Sequence, residues 1–582
     1  DVLPALLEDV ISRLSFPATM YWLKKSGPRF IRPVRWLLAL LGEGRQARVI
    51  KLAFGDVKAS DATFGHRRRG RRPIRPKSFR QYSSTLAKHG VLIETNERRE
   101  LLKKNIKVLV GKYRYKCIQN KELVEWIVNS TEWPSALLGD FDPRFLSLPR
   151  ELLITVMHEH QKYLAVQGRN GKLQPHFVAV LDWAKDSKGT IRRGHERVLE
   201  ARFRDAQFFW EADQHVAFAS RLDLLRQVTF HSKLGSYWDK IERMKILGQA
   251  VISELPSGKF SPAELTQQIL RALELAKCDL TTDMVKEFPS LQGVMGGLYA
   301  AFQGESTEVA EAVYDHYLPV TAEDSCPRAL LGVLVSLVDK LDNVLAGYAV
   351  GLEPTGSSDP FALRRQGNGI IKLLIENNLV INLQQVTYNY FSQLFSKEGR
   401  DPRELEQSAL RFFRERVRFV LESSHGYRYD TLNAVLAAPD PEPLGIFHRA
   451  GALEAVRESE DFVHLSMAAK RIANIITKSA KGSDWTPGMV DPSSIEPGPE
   501  EELYTAFVEV EKQVKELVDS GRYEAGLKQI AGLRPLVDYF FDKVLVMSPD
   551  PAIRQNRLRL LGGLDRLFST IARFSEVIVA PD

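Results

Sequence analysis

Tyr163-Leu-Ala-Val-Gln-Gly-Arg-Asn-Gly-Lys-Leu-Gln-Pro-His-Phe-Val-Ala-Val-Leu181 is the last stretch of the chain that reads as paired strands. Two short apolar runs, Tyr163–Val166 and Phe177–Leu181, flank Arg169-Asn170-Gly171, and Asn-Gly suits the primed turn of a hairpin. Upstream, Val34–Leu41 and Val49–Phe54 flank Gly42-Glu-Gly44 and predict another hairpin, at the edge of a mixed sheet. Between the hairpins lie helical spacing over 79–130 and a helix opening at Leu148-Pro149, with proline in its first turn. Beyond Arg193 the alternation nearly ends. Arg197–Gln227, Asp239–Glu254, Pro262–Lys277, Pro327–Leu345 and Arg403–Glu422 instead repeat apolar residues at helical intervals. The chain therefore reads as multidomain and predominantly α-helical, with an α+β unit at its N-terminus. Glu353–Pro360 and the Pro/Gly/Ser-rich Lys481–Glu500 punctuate the helices, the second as an expected linker or long loop, and a helical unit over Glu501–Ser575 closes the chain.

At 582 residues with 44% hydrophobic and 26% charged side chains, the chain can bury several cores, about three or four domains' worth. No stretch approaches the roughly 20 apolar residues that cross a bilayer. Cys117, Cys278 and Cys326 are too few and too dispersed for a disulfide framework, so the expected compartment is reducing, the cytoplasm. The first residue is Asp1, with no charged segment and apolar core of a signal peptide behind it, so the chain is expected to begin partway through its gene product.

The net charge of +7 hides a strong asymmetry. Residues 1–120 hold 27 Lys+Arg against 9 Asp+Glu, and the remainder holds 53 against 64. Much of the excess sits in Gly65–Lys77, where Arg67, Arg68, Arg69, Arg71, Arg72 and Arg75 crowd a stretch whose glycine and prolines forbid a regular helix. Guanidinium groups this close repel one another unless a polyanion lies across them, and nucleic acid is the first candidate.

Enzyme motifs are sought and mostly absent. Gly65-x-x-x-x-Gly70-Arg71-Arg72 has arginines where a phosphate-cradling loop needs Lys and Ser/Thr. There is no GxGxxG after a strand and no Gly-x-Ser-x-Gly elbow. His158 and His160 stand two apart, on different faces of the predicted helix. One constellation is suggestive: His231, then Cys278-Asp279, then Asp339 and Asp342, spread over successive helices. That order is similar to the HD metal-dependent phosphohydrolase pattern of His, His-Asp and Asp, but with Cys in place of the second His. A thiol does not replace imidazole in an oxygen- and nitrogen-rich site without changing the metal preference, so the pattern reads as degenerate, with no metal expected.

Longer motifs carry a second resemblance. Arg29–Gly42, Gly65-His-Arg67, Val128–Pro134, His160-Gln-Lys-Tyr163, Gly194–Leu199, Lys277-Cys-Asp-Leu280, Glu287–Gly296, His316-Tyr-Leu-Pro319 and Pro354–Arg365 resemble, in order, the beta subunit of the heterotetrameric bacterial-type glycyl-tRNA synthetase, as do Phe540–Met547 and Ile553–Leu558. The resemblance spans nearly the whole chain, without the family's opening segment. It implies four regions. Residues 1–200 would form an α+β domain resembling the editing region of phenylalanyl-tRNA synthetase; 201–400 an HD-like helical domain; 401–500 a helical body; and 501–582 a helical anticodon-binding domain.

It also implies a subunit of a ligase that itself lacks the aminoacylation site. A companion alpha subunit would supply the ATP and magnesium chemistry within an α2β2 assembly, and this chain would bind tRNA(Gly) without a cofactor or a membrane. The expected RNA contacts are Arg67, Arg68, Arg69, Arg71 and Arg72 in the basic loop, on phosphates, and Arg554, Arg557, Arg559 and Arg566 at helical spacing near the C-terminus. The alternative from the enzyme class is an HD-type metal-dependent phosphohydrolase acting on nucleotides or tRNA ends; a third reading is an RNA-binding scaffold.

Overall fold

The computed structural model describes residues 2–21, 23, 27–69, 72–183, 185–256, 262–356, 358–359, 361–395, 400–438, 442–481 and 488–578. Among the described residues helix outweighs strand, 63% to 9%, as the helical spacing predicts. The chain divides into two compact units, Asp1–Asp213 and Gln214–Asp582. No described helix is long and apolar enough to cross a membrane.

The first unit is built on a four-stranded antiparallel sheet in the order Lys116–Cys117, Leu164–Gln167, Leu173–Asp182, Pro134–Asp140. Alternation puts Leu164, Val166 and Val178 on one face, where they meet Leu102 and Val110 of the Thr95–Gly111 helix and Leu123, Ile127 and Val128 of the Lys121–Ser130 helix. Asn120 starts the second of these helices by accepting from Leu123 N, and a capping side chain of this kind contributes about 1 kcal/mol. Gly139 faces the Phe177 ring so closely that a Cβ would lie 2.4 Å from it, so only glycine fits opposite that aromatic.

The predicted hairpin at Asn170-Gly171 is present, but its turn is wider than a two-residue primed turn. Gly171 N donates to Gly168 O, Gly168 N donates to Lys172 O, and Gly171 sits at φ +76°. The hairpin predicted over 29–57 is broken into two-residue pieces. Leu40–Leu41 pairs with Arg48–Val49, while Leu37–Leu38 runs parallel to Val57–Ser60 in a three-stranded mixed sheet completed by Ala53–Phe54. Pro149 precedes the Arg150–Thr155 helix, which loosens into a π turn over Val156–His160. His158 is buried there and His160 exposed, and burial pushes the His158 imidazole down to about 4.

In the second unit the Leu330–Ala349 helix is buried on nearly every face, as its almost continuous apolar sequence requires. Around it pack Tyr237–Ser253, Thr307–Asp315, Leu363–Glu376 and Pro402–His425. The last long helix, Pro551–Ser569, starts with proline at its first turn and Asp550 accepting from Ala552 N and Ile553 N. Part of the expected linker is tied down: Asp491 N donates to Asn556 Oδ1 and Asn556 Nδ2 donates back to Asp491 O.

Candidate nucleic-acid interface

The basic loop is the tip of a small hairpin. Thr63 pairs with Ile74 and Phe64 with Pro73, so Arg67, Arg68 and Arg72 lie in the segment that joins these rungs. Arg67, Arg68 and Arg72 are exposed and make no ion pair among the described residues. Arg69 lies in a short 3-10 turn with Arg67 and Arg68, Arg75 is held by Asp61, and Arg71 lies outside the described residues.

What fixes the loop is His66, which is fully buried. His66 N donates to His89 O at 3.0 Å, and Arg68 N donates to His66 Nδ1 at 3.3 Å. With Nδ1 accepting, Nε2 carries the proton and donates to Asp182 Oδ2 at 3.0 Å. The other Asp182 oxygen accepts from Glu132 N and Trp133 N. Gly65 permits the close approach, since a Cβ there would lie 2.5 Å from the Cβ of His89. The ligand atoms of His66, Glu132 and Asp182 lie within 4.8 Å of one another, the only such grouping of three among the described residues. In this tautomer neither ring nitrogen keeps a free lone pair for a metal, so the triad is a brace for the loop. His66→Ala should lower stability by about 1–3 kcal/mol, because it strands Asp182 Oδ2 and frees the Arg68 amide, and thermal unfolding reads this directly.

The C-terminal arginines divide. Arg566 is exposed, and Arg554 and Arg559 are half-buried, with Arg554 donating to Ser548 O. Arg557 is buried and turned inward: its Nε donates to Glu500 Oε2 at 2.8 Å, one terminal nitrogen to Leu545 O at 2.9 Å, and the other to Glu496. Helical spacing groups the four, but in this fold Arg557 is a core ion pair and not a surface contact.

The degenerate HD positions do not converge on a metal centre. His231 lies in a short strand pair with its ring 5.3 Å from that of Phe361, and its Nδ1 accepts from Lys233 N. Cys278 donates to Glu274 O, and burial pushes its thiol up. Asp279 accepts from Gly293 N and Gly296 N through Oδ2, while its buried Oδ1 has no hydrogen-bond partner.

Asp339 and Asp342 are brought together, but by ammonium groups. Lys240 Nζ lies 2.9 Å from both, and Lys277 Nζ lies 2.9 Å from Asp339 Oδ2 and from His316 Nε2. Arg243 and Tyr390 complete the shell of Asp342. Burial works against both carboxylates' charge, and Lys240 and Lys277 at Asp339, with Lys240 and Arg243 at Asp342, outweigh it, holding both below the usual carboxylate range. Sequence reasoning missed Lys240, Lys277 and His316 as members of this cluster. The only local signal was that Lys277 adjoins the Cys-Asp dyad.

Burial pushes the Asp279 carboxyl up to about 6, so the native state takes up a proton that the unfolded chain, at an ordinary 3.8, does not. Stability gained by that proton is full below about pH 4 and is lost as pH rises through about 6. Asp279→Asn should therefore flatten the stability profile between those values by about 2–3 kcal/mol, measured by denaturant unfolding across pH.

Comparison with known proteins matches both units. A family model described as glycyl-tRNA synthetase beta subunit matches residues 1–437, and one described as DALR anticodon binding domain matches 465–574. A glycine–tRNA ligase beta subunit from Acidobacterium capsulatum is 40% identical over 590 residues, covering 100% of this chain and 82% of that protein. Those from Moorella thermoacetica and Syntrophotalea carbinolica are 38% and 36% identical, each covering 99% of this chain and 81% of the relative.

Proposed function

We propose, since this chain belongs to the glycyl-tRNA synthetase beta-subunit family, that it is the tRNA-binding subunit of a glycine–tRNA ligase. With an alpha subunit it serves the ATP-dependent attachment of glycine to tRNA(Gly). The alpha subunit supplies the ATP, magnesium and glycine site; this chain binds no cofactor of its own and brings the tRNA. The working assembly is an α2β2 heterotetramer in the cytoplasm. Within the chain, residues 1–200 serve as an editing-region-like α+β domain, 201–400 as an HD-like helical domain, 401–500 as a helical body and 501–582 as the anticodon-binding domain.

The observation that carries this reading is the braced basic loop: exposed guanidinium groups of Arg67, Arg68 and Arg72, without an ion pair among the described residues, held on a hairpin by the bond from buried His66 to Asp182. An array of this kind fixes affinity and register on phosphates and leaves base choice to other contacts. Arg69 and Arg71 extend the same array along the sequence. In the C-terminal domain Arg554, Arg559 and Arg566 meet unstacked anticodon bases by stacking or hydrogen bonding, a reading supported by the anticodon-binding match over 465–574. The phosphohydrolase alternative loses its footing at Asp339 and Asp342, whose oxygens are taken by lysine and arginine.

Direct binding tests the proposal. Fluorescence anisotropy of labelled tRNA(Gly) with the purified chain should show binding that weakens linearly in log K against log salt. Binding no tighter than to an unrelated duplex RNA at matched salt would overturn it.

A further inference from the structure

The Gln214–Asp582 unit contains a cleft of about 480 Å³ beside the degenerate HD positions. Its wall carries Lys240, Lys277, Lys340 and Arg365 against a single lining carboxylate, Asp339. Asp339 is already shared by Lys240 and Lys277, and Asp342 behind it is matched by Lys240 and Arg243. Lys340 has no carboxylate partner among the described residues. It is 3% exposed, and its Nζ donates to Tyr317 O at 2.9 Å. Arg365 is exposed, again without an ion pair among the described residues.

Buried cations in excess of their carboxylates are costly unless an anion completes them. Burial accordingly pushes the Lys277 and Lys340 ammonium groups down to about 8, which leaves both largely charged at neutral pH. Both side chains line a space of ligand size. Aromatic rings border the same space: Lys277 Nζ lies 3.8 Å from the Tyr317 ring centroid, Lys240 Nζ lies 5.0 Å from that of Phe230, and Tyr237 and Tyr314 also line the cleft.

We infer that this cleft binds a phosphate-type oxyanion carried on a nucleotide-sized ligand, with Lys340, Lys277 and Arg365 as its donors. Lys240, Lys277 and Arg243 take up the oxygens of Asp339 and Asp342, so these carboxylates are not free to activate a water and the pocket binds phosphate without cleaving it. The aromatic border suits a base, and the phosphate is either that of a free nucleotide or that of an RNA strand. The inference does not depend on the basic loop or on the C-terminal arginines.

The test is calorimetric titration of the full chain with inorganic phosphate, AMP, adenosine and a short single-stranded RNA. Two variants are compared, Lys340→Met and Arg365→Ala, each first checked for unchanged circular dichroism. Lys340→Met removes a buried charge that has no carboxylate partner, so the fold should survive it.

Phosphate and AMP should bind the wild-type chain and adenosine should not. Each variant should weaken AMP by about tenfold or more, the loss of one charge-assisted hydrogen bond. AMP that binds without displacing the RNA identifies a free nucleotide as the ligand. RNA displaced by AMP and weakened by Lys340→Met identifies the strand. Failure of phosphate, AMP and RNA all to bind, or binding that both variants leave unchanged, overturns the inference.

Discussion

Replacing Arg557 by alanine should unfold the C-terminal helices before it touches RNA recognition. Arg557 is 6% exposed and its guanidinium bonds Glu500, which is 1% exposed, so the variant leaves a buried carboxylate with no counter-charge. Breaking a buried pair from one side costs about 3–5 kcal/mol. The bond to Leu545 O is lost as well, which loosens the segment between the Arg534–Lys543 and Pro551–Ser569 helices. Calorimetry should show the unfolding midpoint fall by roughly 6 °C or more. Arg557→Met combined with Glu500→Gln should recover most of that loss, because it removes both charges together. Arg566→Ala, on an exposed side chain, should leave the midpoint unchanged and alter only tRNA binding. A stable Arg557→Ala protein with weakened charging would instead return Arg557 to the RNA surface.

The second large effect belongs to the basic loop. Changing Arg67, Arg68 and Arg72 together to glutamine should leave folding intact, since all three are exposed and make no ion pair among the described residues. Each phosphate contact contributes about 0.7–0.9 to the slope of log K against log salt, so the slope should shrink by about 2–3. Near physiological salt the loss of affinity should be on the order of 10–100-fold, and similar for any tRNA, because phosphates carry no sequence information. An unchanged slope would mean that the loop faces away from RNA.

Elements set by local pattern were legible in the sequence; pairings across long separations were not. The helix around Leu330–Ala349 was readable because its apolar residues recur at helical intervals, and the Pro551–Ser569 helix because its arginines keep helical spacing. Proline at the first turn and Asp550 at the cap mark its start. The same spacing could not show that Arg557 points inward, since Glu500 lies 57 residues away and no periodicity links them. His66 was visible only as part of a motif, because its brace, Asp182, is 116 residues distant.

The region 29–57 misled in a different way. Its two apolar runs read as one hairpin, yet the backbone divides them among two-residue pairings with different neighbours. At the HD-like positions, residue type showed only a degenerate pattern, and it could not show that Lys240 and Lys277, distant in sequence, neutralise Asp339 and Asp342. Charge asymmetry along the chain was legible without any structure, because it does not depend on contacts at all.

The measurement that bears most directly on the central claim is aminoacylation of tRNA(Gly) by the alpha subunit with and without this chain. It is run beside glycine-dependent ATP–pyrophosphate exchange by this chain alone. A tRNA-binding subunit predicts charging that requires both chains and no exchange by this one. Charging by the alpha subunit that is indifferent to this chain, or exchange catalysed by this chain alone, would contradict the account.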